Sequence, residues 1–198
     1  VTPPSSCPSC HQKIRPIDNI PIISYLLLRG RCKFCGGRIS IRYPFVEFLN
    51  GLLYLFVFYT FGFGWHLIPL FAFLSAMIVI TFIDLDFQII PDVITLPGII
   101  IGVLSATFLL VDPLQNYTSS NAKVGFLNSL IGLFLGGGLF YLIARVSKGG
   151  MGGGDIKLMA MIGAFLGWKA VLMVTLIGSL TGSIVGIFLM IFKGKDRK

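Results

Sequence analysis

Acidic residues stand at the edges of apolar stretches in two short motifs of this sequence. Asp84, Asp86 and Asp92 follow one apolar stretch, and Asp155 precedes another, directly after the glycine-rich tract 149–154. Two carboxylates that lie close together can share one proton, so that one activates a water molecule as a base while the other donates to a scissile carbonyl. This is the chemistry of an aspartic protease, and it requires two distant segments of the chain to meet.

The glycine-rich tract before Asp155 favours a site where another backbone passes close by. Glycine permits such an approach, so the tract can accommodate an extended substrate strand beside the carboxylate. The tract lacks the lysine and Ser/Thr of a phosphate-binding loop, and the sequence contains no His-Glu-x-x-His motif for zinc hydrolysis. For Asp86 and Asp92 a second interpretation stays open, because acids also mark the interface where one membrane helix ends and the next begins.

Four cysteines form two pairs, Cys7/Cys10 and Cys32/Cys35, each with two intervening residues. Two such knuckles supply four thiolates to one tetrahedral Zn²⁺ and leave no position for a catalytic water, which predicts a structural zinc site. A disulfide pairing is the alternative, but a reducing cytoplasm disfavours it. His11 adjoins a knuckle and is not expected to bind the metal.

A zinc knuckle among basic residues also suits nucleic acid, but no recognition helix is evident here, and we expect no nucleic-acid partner.

The composition is that of a protein whose main solvent is lipid. Of the 198 residues 55% are hydrophobic and 12% are charged, and the mean hydropathy is +0.89. A helix crosses the hydrocarbon core with roughly 17 to 25 mostly apolar residues. About six windows reach or approach that length: 46–63, 66–83, 93–111, 124–146, 156–168 and 170–192. The sequence therefore predicts an all-α polytopic membrane protein with a small N-terminal zinc-knuckle head. Glycines at 136–138 and at Gly182 and Gly186 predict close helix packing.

The predicted domains are a cytoplasmic tetracysteine head (1–45), a transmembrane aspartyl protease domain (46–192) and a basic cytoplasmic tail (193–198). Lysine and arginine accumulate in the cytoplasmic segments of membrane proteins. With the head inside and six crossings, 14 basic residues lie in the cytoplasm and only Lys123 and Lys169 lie outside. The four acids of the two motifs are then near the cytoplasmic surface, and the segment 112–123 is an external loop. Because Val1 begins a polar stretch, we expect no cleavable signal peptide.

The ordered combination of these motifs resembles the prepilin peptidase family of Gly-x-Gly-Asp aspartyl proteases. The matching features are the tetracysteine head, the segment 42–47, the motif 84–92 and the Gly-x-Gly-Asp at 152–155, and the resemblance extends from Cys7 through the last predicted span. It implies that Asp84 and Asp155 are the catalytic residues. It also implies supporting roles for the remaining motif residues, which are Asp86, Asp92, Gly152, Gly154 and Lys157.

The resemblance further implies a substrate, a membrane and a cofactor. Substrates would be type IV prepilins or pseudopilins, with a short basic leader, a glycine before the cut and a hydrophobic helix after it. Cleavage would take place at the cytoplasmic face of a bacterial inner membrane. Many family members also N-methylate the new amino terminus with S-adenosylmethionine. Members usually begin with a further membrane span and a cytoplasmic motif before the first cysteine pair, and that part is associated with methylation, so methyl transfer is expected of a full-length chain.

Two other classes of function stay open on the sequence alone. A proton-coupled membrane transporter would use the acids as a proton relay, but it would place them near the bilayer midplane, often in repeated halves. A zinc-headed membrane adaptor without catalysis would explain the cysteines but would leave Asp155 and its glycines without a purpose. The protease is the interpretation that uses both motifs.

Overall fold

The computed structural model describes residues 6–7, 9–110, 112, 123–147 and 150–193. Within them, regular structure is helical apart from two isolated β-bridges, and the chain folds as two compact units, 1–63 and 64–198. The predicted external loop 112–123 and the predicted basic tail 193–198 lie almost entirely outside the described residues.

Unit 1 carries the tetracysteine segment and the first long helix. A short 3-10 helix (Pro16–Asn19), α1 (Ile23–Leu27) and α2 (Arg42–Phe61) follow one another along the chain. The predicted span 46–63 corresponds to α2, which begins four residues earlier and ends where Gly62 adopts a φ of 70°. The expected boundary between head and protease domain, at residues 45 and 46, falls inside α2. The division into these two domains therefore stays a prediction about function and does not describe a boundary between folding units.

Unit 2 consists of four longer helices in its described part: α3 (Leu67–Phe87), α4 (Asp92–Phe108), α5 (Phe126–Val146) and α6 (Gly153–Lys193). The helices α2, α3, α5 and α6 are each long and apolar enough to cross a membrane, and α4 is an apolar helix of 17 residues. The chain is therefore an all-helical, multi-pass membrane protein, as predicted.

The last long helix contains a break that agrees with the expectation of two separate spans, 156–168 and 170–192. Both windows fall within α6, which consists of two helical parts that meet at a kink at Gly167. The backbone of Gly167 (φ 79°, ψ 177°) is not helical, and only glycine adopts such angles readily. The gap between the two predicted spans, at Lys169, lies two residues after this kink.

Small residues bring α5 and α6 into backbone contact. A Cβ atom added to Gly136 would collide with the carbonyl of Met159, and one added to Gly132 would collide with that of Gly163. The buried hydroxyl of Ser129 adds a hydrogen bond to the backbone carbonyl of Ala164 at 2.6 Å. The prediction of close packing is thus confirmed at Gly136. It is wrong for three glycines whose added Cβ would meet no described atom within 4 Å: Gly138, Gly182 and Gly186.

The helix directions bring four helix ends to one end of unit 2. Gly98 contacts Met161 and Gly102 contacts Phe165, so α4 and α6 run parallel. The short connection 88–91 makes α3 antiparallel to α4, and the glycine contacts described above make α5 antiparallel to α6. The C-terminal ends of α3 and α5 and the N-terminal ends of α4 and α6 therefore lie together, and both acidic motifs are located there.

Candidate active site

Asp84 lies in the last turn of α3 and has an exposed side chain. The helix continues to Phe87 and ends at Gln88, which adopts the left-handed conformation and donates its backbone N–H to the carbonyl of Asp84 at 2.8 Å. Asp86 is also exposed and belongs to the same turn. The first part of this acidic motif is consequently the C-terminal end of a helix. Helical hydrogen bonds therefore fix the backbone of Asp84.

Asp155 is the third residue of α6 and is half-buried. One of its carboxylate oxygens, Oδ2, accepts a hydrogen bond from the backbone N–H of Gly152 at 3.1 Å. An acidic side chain that reaches back in this way satisfies a backbone donor at the helix start, and the positive end of the helix dipole favours its negative charge. The carboxylate is therefore held against the glycine tract by its own helix.

Two contacts join the start of α6 to the segment between α3 and α4. Gly154 packs against Ile90 so closely that an added Cβ would lie 2.7 Å from the Cβ of Ile90. Beside it, the Nζ of Lys157 donates to both carboxylate oxygens of Asp92, each at 2.7 Å. The motif Gly-x-Gly-Asp and the motif 84–92 thus meet through one steric and one ionic contact.

An aromatic contact sets the level of α3 against α6. The rings of Phe73 and Phe165 pack with their centroids 4.6 Å apart. Asp84 follows Phe73 by 11 residues and Asp155 precedes Phe165 by 10 residues, so at about 1.5 Å per residue they lie about 16 and 15 Å from this contact along antiparallel helices. Asp84 and Asp155 therefore lie at the same level at one end of unit 2.

Sequence reasoning named seven of the residues at this end but missed two features of it. Ile90 was not expected to take part. It lies so close to Gly154 that position 154 has no room for a side chain. The partnership of Asp92 with Lys157 was also missed, because the two residues are 65 positions apart. In the sequence, only the small size of Gly154 and the charge of Lys157 near an acidic motif pointed to these two contacts.

The four cysteines form a second cluster, in unit 1. Their Sγ atoms all lie within 4.8 Å of one another, so the cluster can hold a metal ion. In each knuckle the carbonyl of the first cysteine accepts a backbone hydrogen bond at 2.9 Å from the fourth residue after it, His11 or Gly36. Both of those residues have a positive φ, 56° and 68° respectively. The exposed His11 thus serves the turn of its knuckle.

The surroundings of the thiols favour ligand chemistry. Backbone N–H groups of Cys10 and Ser9 donate to Cys7 and lower the pKa of its thiol to about 6. For Cys10, the backbone N–H of Gln12 lowers the pKa, but burial and the neighbouring sulfur atoms of Cys35 and Cys7 outweigh it and raise the pKa to about 11. Thiolates are the form that binds metals, and a bound cation drives such thiols to release their protons.

Two family models match the chain, one for each unit. Residues 1–61 match the Bacterial Peptidase A24 N-terminal domain. Residues 70–187 match the Type IV leader peptidase family, and this second match covers more than half of the chain. No solved structure matches the chain.

Curated relatives are similar to almost the whole chain. A prepilin leader peptidase/N-methyltransferase of Myxococcus xanthus is 38% identical over 98% of this chain and 56% of its own length. A protein of the same name from Pseudomonas aeruginosa is 39% identical over 96% of this chain and 63% of its own length. One from Legionella pneumophila is 41% identical, with 98% and 66% covered. The chain spans between 56% and 66% of the length of these three relatives.

Proposed function

Because the chain belongs to the type IV leader peptidase family, we propose that it is a membrane aspartic endopeptidase that removes the leader peptide from type IV prepilins or pseudopilins. Asp84 and Asp155 are the proposed catalytic residues. The proposed supporting residues are the remaining residues of the two motifs: Asp86, Asp92, Gly152, Gly154 and Lys157.

In the proposed mechanism the two carboxylates share one proton. The ionised carboxylate takes a proton from water as the water oxygen attacks the scissile carbonyl carbon, and the protonated one donates to the carbonyl oxygen. When the resulting diol collapses, the C–N bond breaks. The leaving nitrogen takes the proton held by the first carboxyl, and the diol returns a proton to the second carboxylate. The pair ends as it began, with one proton between two carboxylates.

The observation that carries this proposal is the meeting of the two motifs at the start of α6. Ile90 against Gly154 and Asp92 with Lys157 connect the segment that follows Asp84 to the segment that contains Asp155. The common level of the two acids gives further support, because a dyad needs both carboxylates at one substrate bond. A proton-coupled transporter is less well supported, since its acids are expected nearer the middle of the bilayer.

The proposed location is the cytoplasmic face of a bacterial inner membrane. With α6 crossing twice, once on each side of the Gly167 kink, the 14 to 2 partition of basic residues supports this orientation, and the C-terminus would also be cytoplasmic. A prepilin would then keep its hydrophobic helix in the bilayer while its basic leader and cut site lie beside the two acids. Cleavage would need no extraction of the substrate from the membrane.

The test is a cleavage assay with the purified protein in detergent. A peptide with a basic leader, a glycine and a following apolar segment is incubated with the protein, and its products are identified by mass spectrometry. We expect a single cut directly after the glycine, and no cut in a matched peptide whose glycine is replaced by a bulky residue. An uncut peptide, or cleavage at scattered positions, would contradict the proposal.

We also propose zinc as a structural ion of the four cysteines, and S-adenosylmethionine as a methyl donor in the whole protein. A cavity of about 520 Å³ in unit 1 has a volume typical of small-molecule sites, and Asp18, Arg38 and Glu47 are among the residues that line it. The carboxyl of Asp18 already pairs with Lys33, and that of Glu47 accepts the backbone N–H of Ile22, so a ligand with an amine, a sulfonium and a carboxylate would have to share or displace these partners. Bound, the cofactor would supply an electrophilic methyl group for the new amino terminus of the substrate.

A further inference from the structure

Five large aliphatic side chains are exposed on the segment that connects the two cysteine knuckles. This segment, 16–27, comprises the 3-10 helix Pro16–Asn19, a short connection and α1 (Ile23–Leu27). We call its five exposed aliphatic residues the apolar ridge. They are Ile17, Ile20, Ile23, Leu26 and Leu27, with exposed fractions of 78, 43, 53, 68 and 78%. Five exposed large aliphatic residues within the stretch 17–27 make this segment a candidate binding surface.

The apolar ridge is held in one conformation by polar groups beneath it. The buried hydroxyl of Ser24 donates to the carbonyl of Ile17 at 3.0 Å and accepts from the N–H of Ile20 at 3.0 Å, which ties the 3-10 helix to α1. Between them Ile22 adopts a φ of 62°, a costly conformation for a β-branched residue. The apolar side chains are therefore presented outwards by a specific local fold rather than by a loose loop.

One hydrogen bond sets the level of the apolar ridge along α2. The backbone N–H of Ile22 donates to Oε2 of Glu47 at 2.8 Å. Glu47 is the sixth residue of α2, so this bond lies about 7.5 Å along the helix from its first residue. The ridge therefore lies beside the first two turns of α2, and because α2 is long and apolar enough to cross a membrane, this level would correspond to a membrane interface.

The charges around the apolar ridge are positive. Arg15, Arg29 and Arg31 flank its segment in the sequence and are exposed. The residues 1–63 contain only two acids. Asp18 pairs with Lys33 at 3.1 Å, and Glu47 accepts the N–H of Ile22. Apolar residues flanked by arginines at the interface are characteristic of segments that bind anionic lipid, because the aliphatic parts enter the acyl boundary while the guanidinium groups reach phosphates.

We propose that the apolar ridge inserts into the headgroup region of the leaflet that α2 enters and that it selects anionic phospholipid there. This contact would fix the tetracysteine unit at the membrane surface independently of any substrate. A second copy of the chain, or another protein segment, is a less suitable partner because an apolar protein surface offers nothing to the three flanking arginines.

The test places a fluorescent reporter on the ridge of the whole protein. Leu27→Trp is made in a background with Trp65→Phe and Trp168→Phe, and Gln12→Trp in the same background is the control, since Gln12 is exposed in the first knuckle. Both proteins are reconstituted in nanodiscs of mixed phosphatidylglycerol and phosphatidylcholine in which only one lipid carries bromine on its upper acyl chain. Circular dichroism verifies that each variant is folded.

We expect a blue-shifted emission from the Leu27→Trp protein and quenching by brominated lipid, stronger when phosphatidylglycerol carries the bromine. The control should be quenched little by either lipid. Replacing Arg15, Arg29 and Arg31 by glutamine should remove the difference between the two lipids. A water-like, unquenched emission would overturn the proposal. A blue-shifted emission that neither lipid quenches would also overturn it, because the ridge would then be buried against protein. Equal quenching by both lipids would refute the anionic selection.

Discussion

At the scale of single residues, the ion pair of Lys157 and Asp92 is the most specific connection between the two acidic motifs. Both N–O distances are 2.7 Å, but the side chains are 39% and 53% exposed. A pair this exposed contributes little to stability, about 0 to 1 kcal/mol. We therefore attribute to it a positioning role: it holds the first turn of α6, and Asp155 with it, against the N-terminus of α4.

Loss of this pair is expected to affect turnover more than folding. Lys157→Gln and Asp92→Asn should each lower kcat for prepilin cleavage by roughly tenfold, about 1.4 kcal/mol of transition-state stabilisation, with little change in KM. The double variant should be no worse than either single one, because residues that act as a pair are not additive. Losses that multiply in the double variant would show that the two residues act independently.

At the scale of helices and their connections, the start of α6 lies in a tight fit against the segment 88–91. The neighbour of Gly154 is the Cβ of Ile90, an atom that moves only with its backbone. The adjacent Gly153 has no described atom within 4 Å of an added Cβ. These consecutive glycines thus offer a matched pair of positions for substitution: an added methyl group would collide with Ile90 at Gly154 and would have free space among the described residues at Gly153.

Gly154→Ala is expected to separate the two acidic motifs. The added methyl group should cost about 1 to 3 kcal/mol of stability through overpacking and, by shifting Asp155, reduce cleavage by as much as about 100-fold. Gly153→Ala should leave cleavage near wild type and raise stability by up to about 1 kcal/mol, because alanine favours helix. Thermal unfolding in detergent and the peptide cleavage assay measure both effects. Equal behaviour of the two variants would disprove the tight fit.

The helices were predictable from hydropathy, but their ends were not. The predicted span 66–83 stops before Asp84, whereas α3 continues to Phe87. Hydropathy measures the cost of placing side chains in lipid, while a helix ends where its backbone hydrogen bonds end. The position of Asp84 on a helix, rather than in a loop, was therefore visible only in the structure.

At the scale of the whole molecule, the two predicted sites belong to different units. The cysteine cluster lies in unit 1 and both acidic motifs lie in unit 2. The cysteine cluster was predictable because ligand spacing is local within each knuckle. The meeting of the acidic motifs was predictable only as a requirement of the chemistry, because the contacts that achieve it join residues far apart in the sequence.

Removal of the metal should therefore affect unit 1 first. Purified protein is expected to contain about one Zn²⁺ per chain through four thiolates, and the variant with Cys7→Ser and Cys32→Ser should lose it. Because metal binding and folding are linked, limited proteolysis should then cut within the head. Cleavage of prepilin peptide should decline only in part. A zinc-depleted enzyme that stays folded but has no cleavage until Zn²⁺ is restored would instead indicate zinc-assisted hydrolysis.

The central claim is that Asp84 and Asp155 together form the catalytic dyad, and substitution of each acid by its amide tests it most directly. Prepilin cleavage is measured for Asp84→Asn, Asp155→Asn and, as the matched control from the same helix turn, Asp86→Asn, with folding verified in membranes. We expect the first two variants to lose on the order of 10²- to 10⁴-fold in rate, because neither remaining carboxyl group can serve as both acid and base. Asp86→Asn should be affected much less. Substantial turnover by Asp84→Asn or Asp155→Asn, or inactivity of Asp86→Asn alone, would contradict this assignment.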